Sequence, residues 1–189
     1  MTRSSVQPWK LREAVRTIYN GGIVAYPTEA VYGLGCDPLD DTAVELLLEL
    51  KGRSVNKGLI LIASDFDQLR PFVGRLDASR MEPVLKSWPG PSTWILPAAK
   101  HLPNWLTGAR DTLAVRVTNH PIAAALCQAC NTPLVSTSAN PSGYRPAHNA
   151  LTVRRFFPTG VDLIINGTTG PLNRPTSIRN ATDGQLIRG

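Results

Sequence analysis

Lys51, Arg53 and Lys57 crowd into the stretch KGRSVNK. An arginine presents a planar fork to phosphate oxygens, and a lysine acts as a mobile point charge. Together they could neutralise a triphosphate. Cations at the end of a helix also meet its negative dipole, so a solvated helix end is the competing reading. Arg116 lies inside the apolar run LAVRV, between Val115 and Val117. A strand arginine is costly to bury unpaired, so it meets a ligand anion or an internal carboxylate such as Asp111 or Glu29. Glu29 is the one acidic residue within a candidate site and could orient a neighbouring cation. Arg188 is either a fourth cation or part of a frayed tail. The stretch STSANPSG, Ser136 to Gly143, follows the apolar TPLV. Ser136, Thr137, Ser138 and Asn140 put hydroxyls and an amide where a core strand would continue with valines. They either face a ligand or bond their own backbone in a turn.

Familiar signatures of nucleotide and acyl chemistry are missing. The sequence has no G-x-x-x-x-G-K-[ST], no G-x-G-x-x-G and no G-x-S-x-G around its serines. His101, His120 and His148 form no convincing triad with a serine and a carboxylate. Cys127 and Cys130 form a C-x-x-C within a helical pattern. With Cys36 and scattered histidines as the remaining donors, they read as small buried helix residues and not as a zinc site, so no metal ligands are assigned.

These residues must be positioned by a folded scaffold. The chain has 189 residues, 42% hydrophobic and 18% charged, which is a globular composition and suggests one domain spanning 1–189. Its formal net charge of +6 is compatible with RNA or an anionic substrate. Cysteine usage fits a reducing cytoplasm. No apolar run is long enough to span a bilayer, and no leader is expected from MTRSSVQPWKLREAV.

Helices are expected at Trp9–Tyr19, in DDTAVELLLELKGR, in DFDQLRPFV, around Met81–Lys86, in NHPIAAALCQACN and within Ala147–Phe157. Strands are expected in GGIVAYPT (stopped by Pro27), GLILIAS, STWILPA, DTLAVRV, TPLVSTS and VDLIIN, with two more around the TDG turn of the tail. Helices and strands mix along the whole chain, so the class is α/β with a largely central sheet flanked by helices. The candidate residues all fall at or near ends of apolar elements, where sites gather in such folds.

At this point the sequence resembles a known family. PTEAVYGLG, the K-x-R of KGR, WPGPST, LAVRV and STSANPSG occur in the order and approximate spacing of the threonylcarbamoyl-AMP synthase family, YrdC type. The resemblance runs from about Gly22 to Arg188. It implies a twisted mixed α/β sheet with a concave, positively charged face. It implies synthesis of L-threonylcarbamoyl-AMP and pyrophosphate from L-threonine, bicarbonate or CO2, and ATP, with Mg2+. The product would feed modification of adenosine 37 through a tRNA threonylcarbamoyltransferase complex. Members also resemble double-stranded-RNA binders, so a non-catalytic RNA-binding protein of ribosome maturation is the alternative. The resemblance places the family's catalytic set on Lys51, Arg53, Ser138 and Asn140. ATP would add Lys57 and Arg188, and threonine would meet Thr28, Arg116, Ser136, Thr137 and Thr176. Ala30, Ser54 and Asn180 depart from residues common in relatives.

Overall fold

The computed structural model describes residues 6–172 and 175–188. In chain order the elements are α1 (Pro8–Tyr19), β1 (Val24–Pro27), β2 (Tyr32–Gly35), α2 (Asp41–Lys51), β3 (Ile60–Ala63), α3 (Phe66–Leu69), α4 (Ala78–Lys86) and β4 (Ser92–Pro97). Then come α5 (Asn104–Thr107), β5 (Thr112–Val117), α6 (Pro121–Cys130), β6 (Leu134–Val135), β7 (Thr137–Ser138), α7 (Ala150–Phe156), β8 (Leu163–Ile164), β9 (Ser177–Asn180) and β10 (Leu186–Arg188).

The mixed α/β class holds, with helices flanking the strands, but the strands divide between two sheets. One has the order β7-β2-β1-β8, the other β10-β9-β4-β5-β3-β6. Both mix parallel and antiparallel pairs: β3 runs parallel to β5, while β4 runs antiparallel to it.

Two features escaped the sequence reading. The first is β2. The stretch after Pro27 reads as a polar loop, yet Tyr32–Gly35 is a fully buried strand paired antiparallel with β1. β1 does end at Pro27, its last residue, as expected. Gly33 and Gly35 hide the strand, because glycine carries no strand signal. Gly35 is there for close approach: a Cβ at this position would lie 2.5 Å from the Val135 carbonyl oxygen.

The second is the break in TPLVSTS. Val135 pairs with Leu61 of β3 in one sheet, and Thr137 pairs with Leu34 of β2 in the other. Ser136 is the crossing point, its N–H donating to the Ile60 carbonyl at 2.8 Å. The two sheets therefore meet at the polar run.

Helix α2 begins as its sequence dictates. Asp40 caps it by accepting from the Ala43 N–H at 2.9 Å, and Gly52 ends it with φ 59°. Its Val44, Leu47 and Leu48 pack with Leu34, Leu61 and Val115 in one core cluster. Helices α1 and α6 cover the other face through Ile18, Ile122 and Leu126, packing with Val24 and Tyr26 of β1. Cys127 and Cys130 are buried in that second cluster, as small residues of an amphipathic helix should be. Among the described residues, no helix is long and apolar enough to cross a membrane.

Candidate active site

A cavity of about 250 Å³ opens where the two sheets meet. Thr28 and Val31 come from the turn between β1 and β2, and Leu59 and Ile60 from the start of β3. Arg116 comes from β5, Ser136, Thr137 and Ser138 from the crossing strand with Asn140 just after it, and Thr176 and Arg188 from the C-terminal segment. Arg53 enters from the turn after α2. Residues from opposite ends of the sequence thus share one wall.

Arg116 occupies the buried end. Its side chain is 6% exposed. Nη1 donates to the Thr176 hydroxyl at 2.8 Å and reaches Thr93 Oγ1 at 3.4 Å. Nη2 lies 3.3 Å from Glu29 Oε2. The carboxylate is fixed from behind, since its Oε1 accepts from the Thr118 hydroxyl at 2.6 Å and the Asn119 N–H at 3.2 Å. Of the two internal partners considered, Glu29 is the one the fold supplies. The pairing does not exhaust the guanidinium: Nε is buried without a hydrogen-bond partner among the described residues. A buried donor left unmade costs about 1–3 kcal/mol, so an acceptor entering the cavity would recover it.

Arg53 and Arg188 complete the cationic lining. Arg53 Nη2 donates to the Gly58 carbonyl at 2.9 Å, while its Nε is buried and without a partner among the described residues. Arg188 Nη2 donates to the Thr176 carbonyl at 3.2 Å, so Arg188 is anchored and not frayed. Burial, and secondarily the charge of Arg188, pushes the Arg53 guanidinium below its ordinary pKa. Burial and then Arg116 do the same to Arg188. Three mutually repelling guanidiniums face one engaged carboxylate, an arrangement that an entering polyanion would relieve.

Two expected site residues do not line the cavity. The Lys51 ammonium turns to the main chain, donating to the carbonyls of Ser138 and Asn140, the latter at 2.8 Å. It is a strut beneath the polar loop. Burial, and next the charge of Arg53, lowers its pKa to about 8. Lys57 ends a short 3-10 turn, exposed to solvent and outside the cavity lining. That turn points it away although it stands only six residues from Lys51.

Asn140 lines the cavity but spends its amide N–H groups on the carbonyls of Pro141 (3.0 Å) and Tyr144 (2.8 Å). Its Oδ1 is a buried acceptor without a partner among the described residues. Thr28 donates its hydroxyl to the Val31 carbonyl at 2.8 Å. At Asn140 the turn reading of the polar run holds, since its amide bonds the loop's own backbone. Sequence reasoning missed Thr93, Thr118 and Tyr144. Thr93 carried a signal, a hydroxyl within an apolar strand; the others stand in loops and show their role only through proximity.

Two sheets joined at a cavity of arginines and hydroxyls present cations and hydrogen-bond donors suited to a small anion. The family model Sua5_yciO_yrdC, described as "Telomere recombination", matches residues 16–189. A threonylcarbamoyl-AMP synthase of Halorhodospira halophila is 53% identical over 96% of this chain and 95% of its own length. One of Nitrosococcus oceani is 52% identical over 95% of this chain and 97% of its own. The crystal structure of P. abyssi Sua5 complexed with L-threonine superposes with a TM-score of 0.90 at 34% identity. That match covers 96% of this chain and 54% of the longer P. abyssi protein. The chain belongs to the Sua5/YciO/YrdC family.

Proposed function

We propose that this chain is an L-threonylcarbamoyladenylate synthase, a nucleotidyltransferase acting on L-threonine, bicarbonate or CO2, and ATP. The observation that carries the reading is Arg116. It is a buried guanidinium aimed into the cavity by Thr176 and Glu29, with an N–H that has no partner among the described residues and two further arginines nearby. The likeness to curated synthases and to a threonine-bound relative supports the same reading.

Arg116 would hold the amino-acid carboxylate, with Thr28, Ser136, Thr137 and Thr176 around the rest of threonine. Arg53 and Arg188 would face the phosphates, together with Ser138 and Asn140. Lys51 would act through the loop it supports. The uncharged amine attacks CO2, loses a proton and becomes a carbamate. A carbamate oxygen then attacks the α-phosphorus of ATP, and the bond to the β-phosphate oxygen breaks, releasing pyrophosphate. Little covalent help is needed; positioning and charge neutralisation lower the barrier. Mg2+ would arrive with ATP and neutralise phosphate charge. The neutral Oδ1 of Asn140, buried and without a partner among the described residues, would suit its hydration shell. We place the reaction in the cytoplasm, with the product passing to a tRNA-modifying transferase.

The test is pyrophosphate release from ATP with threonine and bicarbonate each present or omitted. Release that requires both supports the synthase. A folded protein that releases none with Mg2+ present would overturn it.

A further inference from the structure

The cavity is too small for the whole nucleotide. Pockets that enclose a drug-sized ligand measure roughly 300–1,000 Å³, and this one is about 250 Å³. An amino acid and a polyphosphate in contact with the three arginines leave no enclosed room for a nucleobase. The base must lie at the mouth.

Tyr144 stands there. It lines the cavity, yet it is 63% exposed. Leaving so large an aromatic in water forgoes its burial, which stabilises most rings of its kind. The ring is braced: Phe156 meets it edge-on at 6.0 Å with planes 63° apart. Its backbone is pinned as well. The Tyr144 carbonyl accepts from Asn140 Nδ2 at 2.8 Å, and the Tyr144 N–H donates to the Pro141 carbonyl at 3.1 Å. Pro146 lines the cavity beside it. A fixed, exposed ring next to a cationic cavity is suited to the flat face of a heterocycle joined to phosphates, because bases stack on aromatic side chains.

We propose that Tyr144 is the platform on which the adenine base stacks while Arg53 and Arg188 hold the phosphates. The inference deepens the nucleotide reading and rests on it. Stacking reads the π-face and few base edges, so the platform favours any large base over none.

Equilibrium binding of ATP and of inorganic tripolyphosphate to the full chain tests this, using wild type, Tyr144→Ala and Tyr144→Phe. The expected result is a Kd for ATP raised between about 5-fold and about 150-fold in Tyr144→Ala. Tyr144→Phe should stay within about threefold of wild type, and tripolyphosphate should bind all three proteins alike. The exposure of Tyr144 predicts an unchanged Tm for the alanine variant, which separates stacking from misfolding. ATP binding equally well to wild type and Tyr144→Ala would overturn the platform and leave the nucleotide reading standing. Failure of both ATP and tripolyphosphate to bind wild type would overturn that reading and the platform with it.

Discussion

The Lys51 ammonium donates to the main-chain carbonyl of Asn140 at 2.8 Å, across 89 positions of sequence. A second bond, to the Ser138 carbonyl, ties the same ammonium to β7. The end of α2 thereby holds the polar loop in place, and the Ser142 N–H returns a bond to the Lys51 carbonyl at 2.8 Å. Replacing Lys51 with Met removes a buried charge but leaves two carbonyls without their donor. The second effect should win by about 1–3 kcal/mol, read as a lower midpoint in urea unfolding. Turnover should fall as well, since Ser138 and Asn140 lose their support. An unchanged midpoint would show that the strut is dispensable.

Lys51 also gives stability a pH dependence. Its folded pKa is lowered to about 8 from 10.5, so between these values the unfolded chain binds more protons than the folded one. Stability from this group therefore rises with pH from about 8 to 10.5 and is lost as pH falls through 8. The shift corresponds to at most about 3 kcal/mol. Unfolding free energies across that window, compared with Lys51→Met, should show an upward slope in wild type that the variant lacks.

Glu29 compensates Arg116 at 3.3 Å and ties down Thr118 and Asn119. Glu29→Ala should cost about 3–5 kcal/mol, because it strands a buried guanidinium. Combining Glu29→Gln with Arg116→Met should cost less than the sum of the single changes, since each removes the other's partner. Additivity in a double-mutant cycle would mean that the pair is not coupled.

Thr176 gives its hydroxyl to Arg116 at 2.8 Å. Thr176→Val keeps the shape and removes that bond. Arg116 can then swing, so the KM for threonine should rise several-fold while the KM for ATP stays close to wild type. A rise confined to ATP would place Thr176 on the nucleotide side.

Burial depresses the His120 pKa against the raising effects of the Thr168 carbonyl and Glu29. On acidification the unfolded imidazole takes a proton first, near pH 6.5. Stability should therefore fall as pH drops below that value. His120→Gln should flatten that part of the curve in thermal unfolding.

The cavity lines threonine's expected place with the hydroxyls of Ser136 and Thr137 beside Val31 and Leu59. Losing a methyl costs only about 1–3 kcal/mol, whereas losing a hydroxyl strands a polar partner. Serine should therefore be turned over better than valine in competition assays, and equal rates would contradict this assignment.

Amphipathic spacing and caps made α2 legible from sequence, with Asp40 opening it and Gly52 closing it, because those signals are local. The suspicion that Arg116 needs a partner was legible too, since a cation between valines cannot be buried alone. Other features depend on who meets whom, which local signals do not carry. β2 was hidden by glycines whose purpose is contact with Val135. Lys51 and Arg53 are two residues apart and read alike, yet one faces the main chain and the other the cavity. The switch of TPLVSTS between sheets at Ser136 depends on hydrogen-bond partners in β3 and β2. By itself the sequence determined the mixed class, most of the elements and the inventory of cations and hydroxyls. Only the tertiary structure decided which of them share a cavity, because long-range strand pairing brings Thr28, Arg116 and Thr176 to one wall.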